Sequence, residues 1–222
     1  MAHHNQIEFL QKNRDLLREP ILLVGAKVYD YDQFDLKAEL SQMGFREVIG
    51  TDLEAGKGVD DVLDITNPHA PQLAQWANRF ATVICMEVLT NVNHPFRAAE
   101  HVNRLLKPGG TVVLSECFVR KISKMPVDYW RFTYDGLKAL FPEFTFEDDR
   151  SRFSITRQRQ VTLRPFVGRF AEVVADHRHA DESAVGFLVR RIHRKWLSRG
   201  IFKISRWLPE QTIYAIGIKP AH

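Results

Sequence analysis

"VIGTDLEAGKGVDDVLDIT", residues 48–66, contains two short aliphatic runs that each close on an acid, Asp52 and Asp64. Runs this short, bounded by glycine and charge, predict β-strands, here 46–52 and 59–65. The pattern extends in both directions. Upstream, "ILLVG" (21–25) predicts a first strand. "FDLKAELSQMG" (34–44) then predicts a helix with Phe34, Leu36, Leu40 and Met43 near helical spacing and Gly44 as its stop. Downstream, "PHAPQLAQWANRF" (68–80) predicts a helix opened by proline, and "ATVICME" (81–87) a fourth strand. "PFRAAEHVNRLL" (95–106) predicts a helix, "KPGG" (107–110) a turn, and "TVVLSEC" (111–117) a fifth strand.

Short aliphatic strands alternating with helices predict an α/β fold, a doubly wound, mostly parallel sheet covered on both faces. Ligands of such sheets sit at the carboxyl ends of the strands. Before the first strand, residues 5–18 predict an amphipathic helix carrying Ile7, Leu10, Leu16 and Leu17, stopped by Pro20. After the fifth, Thr133 predicts the cap of a helix over 134–141, and "EFTFEDD" (143–149) a further strand. Residues 150–210 break the alternation. "SAVGFLVRRIHRKWLSRGIFKISRWL" (183–208) spaces its apolar residues among arginines as one or two basic amphipathic helices would. "TIYAIGIK" (212–219) predicts a closing strand. The expected organisation is a Rossmann-like cofactor-binding domain over 1–149 with its N-terminal helix, a basic helical insertion or lid over 150–210, and a final edge strand within 211–222.

Bulk properties agree with one sizeable core. The 222 residues are 45% hydrophobic and 26% charged, ordinary values for a globular protein. No apolar run approaches the roughly 20 residues that span a bilayer, and the first residues lack a signal core, so a cytoplasmic location is expected. Cys85 and Cys117 both lie in strand-like runs and read as buried thiols. The net charge of +4 hides an asymmetry: residues 1–149 carry 16 Lys/Arg against 22 Asp/Glu, and residues 150–222 carry 15 against 5. The basic third suits an acidic substrate, nucleic acid or an anionic membrane. It equally suits neutralising the acidic body as a substrate-covering lobe, since Phe187, Trp196, Phe202 and Trp207 stand at spacings that often face a core.

An acid at the tip of the second strand is placed to accept hydrogen bonds from a ribose diol, because a carboxylate is acceptor-only and can take both hydroxyls. Asp52 holds that position, and Asp64 the corresponding tip of the third strand, where an adenine amino group would be within reach. The loop after strand one has a single glycine, Gly25, followed by Ala26 and Lys27. A pyrophosphate must press on the backbone and needs several glycines, so this loop argues against NAD or FAD. No Walker loop, G-x-S-x-G or C-x-x-C occurs. His177 and His179 alternate like metal ligands but have no third partner at suitable spacing, and no metal is expected.

Three pieces together resemble class I S-adenosylmethionine-dependent methyltransferases: "IGTDLEAGKGVDDVLDI", "ATVICMEVLTNVNHPFRAAEHVNRLLKPGGTVVLS" and "PVDYWRFTYDGLKALF". The last is similar to a methyltransferase type 11-like bacterial subgroup with a "DYWRFT" block. The resemblance spans most of residues 20–149. It implies that Gly25, Ala26 and Lys27 flank the methionine part of adenosylmethionine. It further implies that Asp52 takes the ribose, that Leu53, Asp64 and Ile65 border the adenine, and that Met86 and Glu87 lie near the transferred methyl. Glu87, Asp128, Tyr129 and Arg131 are the catalytic or orienting candidates, with Trp130 and Phe132 packing the loop. Where many relatives read "LEH" after strand four, this chain reads Leu89, Thr90, Asn91. The expected function is methyl transfer to a small-molecule acceptor. The alternative is a non-catalytic methyltransferase-like scaffold that binds through its basic lobe.

Overall fold

The computed structural model describes residues 3–30, 32–120, 122, 127–154, 164–165, 183–192 and 211–221. The chain divides into two compact units, Met1–Pro165 with Pro209–His222, and Phe166–Leu208. The first unit is built on one mixed sheet.

Four strands form its parallel half: β1 (Ile21–Val24), β2 (Val48–Asp52), β3 (Asp61–Val62) and β4 (Phe80–Met86). β5 (Leu106–Val119) extends it, and β9 (Gln211–Ile218) turns it antiparallel. The remaining short strands among the described residues are β6 (Thr145–Phe146), β7 (Arg152–Ser154) and β8 (Arg164–Pro165). The order is β3-β2-β1-β4-β5-β9-β7-β8, with β6 also on β9. Sequence order reverses between β1 and β4, so their carboxyl ends open a crevice where ligands of doubly wound sheets bind.

All four residues of β1 are buried, as both faces of a central parallel strand require. Alternation sends Ile21 and Leu23 to one face and Leu22 and Val24 to the other. The first face packs with Ile84 and Met86 of β4, Val113 of β5 and Tyr214 and Ile216 of β9. Two helices cover it: α1 (His4–Lys12) with Ile7, Phe9 and Leu10, and α2 (Leu36–Gln42) with Leu40. The rings of Phe9 and Tyr214 stand 5.3 Å apart. Each such fully buried side chain contributes about 1.5–3 kcal/mol. The other α-helices among the described residues of this unit are α3 (Gln72–Gln75), α4 (Pro95–Leu105) and α5 (Tyr134–Leu140). α4 buries Ala98, Ala99, Val102 and Leu105 and has proline in its first turn. Thr133 caps α5, its side chain accepting from Gly136 N.

Several elements differ from expectation. The leading helix ends at Lys12, where Asn13 Nδ2 donates to Phe9 O at 2.9 Å, and a one-turn 3-10 helix follows at Arg14–Leu16. α3 has four residues where thirteen were predicted, because Pro71 starts it and Asn78, with φ of 52°, ends the segment in a left-handed turn. β3 has two residues, since Asp64 begins a turn instead of extending the strand. "KPGG" is not a free turn: it lies within β5, whose pairing with β4 shifts register between Phe80 and Thr82, with Gly109 at φ of 72°. Residues 152–154 and 164–165 are strands inside the stretch expected to be helical. They form because β9 has an unpaired edge, which β7 fills beside Ile213.

In the second unit the described element is α6 (Ala184–Ile192), whose start is capped by Ser183 Oγ accepting from Gly186 N at 3.0 Å. Cys85 and Cys117 are buried thiols without a disulfide, and burial pushes the Cys85 thiol well up.

Candidate functional site

The crevice is assembled from the loop after β1, the tips of β2 and β4, the N-terminal end of α1 and the loop after β5. The first loop is pinned rather than wound. Gly25 N and Ala26 N both donate to Thr51 O, at 2.8 and 2.9 Å, and Lys27 N donates to Asp52 Oδ2 at 3.1 Å. Val28 N then donates to Lys57 O, so the loop runs along the end of β2. The chain does not turn helical until Leu36, where Asp35 caps α2 through Ala38 N. Gly25 has φ of 78°, and a Cβ there would stand 2.5 Å from Val88 Cγ2. Glycine is therefore required by two things at once, a left-handed backbone and close packing against the turn after β4.

A narrow cleft opens at this point, lined by Gln6, Gly25, Ala26, Lys27, Asp32 and Met86, with Leu23, Val24, Phe34 and Leu36 as its apolar wall. Asp32 Oδ2 accepts from Tyr29 N at 2.8 Å, while Oδ1 is buried without a hydrogen-bond partner. A buried carboxylate oxygen left over at a cleft fits a cationic or N–H-bearing ligand group. Lys27 Nζ turns to Glu54 at 2.5 Å, and that hydrogen bond raises the Lys27 ammonium above its ordinary range.

Of the residues expected to hold the cofactor, Gly25, Ala26, Lys27 and Met86 line the cleft. Asp52 is half-buried and joined to them through Lys27 N. Leu53 is exposed. Asp64 is also exposed, with Oδ1 accepting from Thr66 N and Thr66 Oγ1 in a local turn. Ile65 is buried, its carbonyl 2.7 Å from His101 Nδ1 of α4. Leu53, Asp64 and Ile65 are not among the residues lining the cleft.

Glu87 follows Met86 in a left-handed conformation, φ 58°, rare for a residue with a side chain and typical of strained functional positions. Its backbone N–H donates to Ser115 O, and its side chain is buried against Arg120 Nη1 at 3.4 Å and His3 Nε2 at 3.6 Å. Beside it, the fully buried Glu116 holds the turn after β4. Its two oxygens accept from Val88 N, Leu89 N, Thr90 N and Thr90 Oγ1, at 2.7–3.1 Å. Burial raises its carboxyl to about 7, although the Thr90 and Leu89 hydrogen bonds pull the other way. Asn91 Nδ2 closes the turn on Glu87 O.

The "DYWRFT" block closes over this turn. Tyr129 N and Trp130 N both donate to Thr90 O, Trp130 Nε1 donates to Val92 O at 2.8 Å, and Phe132 N donates to Cys117 O. Asp128 pairs with both Nη atoms of Arg131, and its side chain is almost fully enclosed. Asp128 and Arg131 thus brace the loop, while Tyr129 lies half in solvent. His177 and His179 lie outside the described residues. Among the described residues no three His, Cys, Asp or Glu are grouped as metal ligands.

His3, Gln6, Asp32, Glu116 and Arg120 belong to this region and were missed in the sequence. Glu116 left a signal, a charge inside an aliphatic strand. His3 and Gln6 left none, because only packing brings α1 to the strand tips. A larger groove of about 400 Å³, lined by Pro68, Arg97, Glu100, His101, Asn103, Arg104 and Lys219, lies elsewhere. Lys219 Nζ bonds Asn103 O and Leu106 O there, at the start of β5 and away from the strand tips.

Residues 13–150 match a family described as a methyltransferase domain. The chain belongs to the class I S-adenosylmethionine-dependent methyltransferase superfamily. Solved structures share this methyltransferase fold at low identity. A SAM-dependent methyltransferase from Archaeoglobus fulgidus is 12% identical with a TM-score of 0.54, covering 98% of this chain and 95% of that one. The YcgJ protein from Bacillus subtilis is 13% identical with a TM-score of 0.57, covering 98% and 99%. The [4+2]-cyclase SpnF is 17% identical with a TM-score of 0.54, covering 100% and 84%. No curated protein matches the sequence. Among the described residues of this methyltransferase-family chain, no helix is long and apolar enough to cross a membrane.

Proposed function

We propose that this protein transfers a methyl group from S-adenosylmethionine to a small-molecule acceptor. The observation that carries the proposal is the cleft at the β1/β4 reversal of a methyltransferase-family domain, where Gly25, Asp32 and Met86 line one opening and Asp52 is joined to it through Lys27 N. The residues present fit the cofactor. Asp52 would accept from the ribose hydroxyls, and Asp32 Oδ1, buried and unpartnered, would accept from the ammonium of the methionine part. Leu53, exposed after the tip of β2, would cover the adenine. Met86 would lie under the sulfonium.

When bound, adenosylmethionine supplies an electrophilic methyl on a sulfonium, a leaving group that departs neutral. The chain's own contribution is alignment, worth up to about 7–11 kcal/mol when two reactants are held in line. The strained Glu87 and the Glu116-braced turn fix the floor of the crevice. Tyr129, half in solvent, stands on the loop that the Asp128–Arg131 pair holds in place. No general base is needed unless the acceptor must lose its proton early.

A non-catalytic reading has one observation in its favour. The N–H groups of Gly25 and Ala26 are committed to Thr51 O, so the glycine-poor loop does not offer them to a ligand. Calorimetric titration with adenosylmethionine, adenosylhomocysteine and NAD separates the two. Methyl transfer requires saturable binding of the first two and not the third, weakened about tenfold or more by Asp52→Ala, which removes charge-assisted hydrogen bonds. If none binds, the chain is a scaffold on a methyltransferase fold.

A further inference from the structure

We infer that Gln6 of α1 donates a hydrogen bond to the methionine carboxylate of adenosylmethionine. This rests on the proposal that the cofactor occupies the cleft, and it extends the site to a helix that lies before the family-matched residues 13–150. The amino-acid end of the cofactor carries an ammonium and a carboxylate, and a buried carboxylate needs donors. Asp32 can serve only the ammonium, since an ionised carboxylate is acceptor-only. The N–H groups of the first loop are already committed. Gly25 N and Ala26 N donate to Thr51 O, Lys27 N to Asp52 Oδ2, and Asp32 N to Tyr29 O. Lys27 Nζ is held and neutralised by Glu54. Gln6 is then the lining side chain with an uncommitted N–H.

Gln6 is 1% exposed and lines the cleft, so its amide is desolvated and fixed in place. Oε1 accepts from His3 N at 2.9 Å, and Nε2 donates to Ser115 Oγ at 3.3 Å. A backbone N–H can only donate, so the His3 contact fixes which end of the amide is oxygen. Nε2 carries two hydrogens and Ser115 takes one; among the described residues nothing accepts the other. A buried N–H without an acceptor is costly until a ligand supplies one. Ser115 is braced in turn, its carbonyl accepting from Glu87 N. Gln6 and Asp32, whose Oδ1 is buried without a partner, therefore line one cleft with a donor and an acceptor, one for each half of a zwitterion. The donor role that a glycine-rich loop would fill with its backbone passes here to a helix side chain.

The test is calorimetric titration of the full chain with adenosylhomocysteine and with methylthioadenosine, which has the adenosine but lacks the amino-acid end. The unmodified chain should bind adenosylhomocysteine about tenfold tighter or more, through its charge-assisted hydrogen bonds. Gln6→Met, similar in shape and without a donor, should weaken adenosylhomocysteine by about 10–100-fold and leave methylthioadenosine within about twofold, as loss of one hydrogen bond to a charged group requires. Gln6→Glu keeps the acceptor for His3 N and should show the same selective loss, which covers the case in which methionine loosens α1. Equal loss of both compounds in both variants would make Gln6 a support for α1 alone and overturn the assignment. Unchanged affinity for adenosylhomocysteine in either variant would also overturn it. Binding of neither compound to the unmodified chain would overturn the cofactor reading and this assignment with it, whereas the two results before it overturn the assignment alone.

Discussion

Glu116→Gln tests the turn after β4, where a buried carboxylate is surrounded by donors. The side chain is fully buried, and burial lifts its carboxyl from the ordinary 4.5 to about 7. A carboxyl raised in the folded state keeps its proton between those two values while the unfolded chain has lost it. Folded protein then binds more protons, so stability falls as pH rises through that window and levels off above it. At 1.36 kcal/mol per pH unit the loss is about 3 kcal/mol. The amide cannot titrate, so Glu116→Gln lacks this loss. At low pH it stands in for the protonated acid. The amide turns an NH₂ toward one pair of donors at a cost of about 1–3 kcal/mol per unsatisfied group, an offset that is the same at every pH. Urea denaturation of both proteins from pH 4.5 to 7 isolates the effect, because every other group cancels in the difference. The expected result is that the stability of the unmodified protein relative to the variant drops by about 3 kcal/mol across that range. A difference independent of pH would refute the assignment of a proton to buried Glu116 and leave its four hydrogen bonds as those of a permanent carboxylate.

Gly25→Ala should cost about 2–4 kcal/mol in denaturant unfolding, from a left-handed backbone and from overpacking on Val88, and Val88→Ala should restore the packing share but not the backbone share. Glu87→Ala should destabilise by about 3–5 kcal/mol, because it leaves Arg120 and His3 buried without their carboxylate; a stability change within 1 kcal/mol would mean the cluster is hydrated. Arg131→Lys should raise the urea sensitivity of the loop by about 1–2 kcal/mol, since an ammonium cannot replace the paired Nη contacts with Asp128, and the change should be visible in Trp130 fluorescence.

The alternation of short aliphatic runs with amphipathic helices was enough to establish a doubly wound sheet, because period and length are properties of the chain itself. β1, β2, β4, α2, α4 and α5 all fall where that periodicity puts them, and Asp52 stands at its strand tip as the register of β2 demands. Local strength failed where tertiary pairing decided. β7 forms because an edge of β9 needs a partner, and α3 shrinks because its prolines and Asn78 leave few helical residues. The site was legible only where it is contiguous in sequence: Gly25, Ala26, Lys27 and Met86 sit at strand tips and line the cleft. Asp64 has the right sequence position, yet its oxygen is taken up by Thr66 two residues on, a local bond no periodicity reports. His3 and Arg120 come from the first residues and from beyond β5 and meet at Glu87 because α1 packs across the sheet, which also sets Gln6 against Ser115. What the chain determined alone was its pattern of strands and helices, which depends on neighbours in sequence. What the tertiary structure decided was which charges are buried together, since desolvation and partner choice depend on neighbours in space.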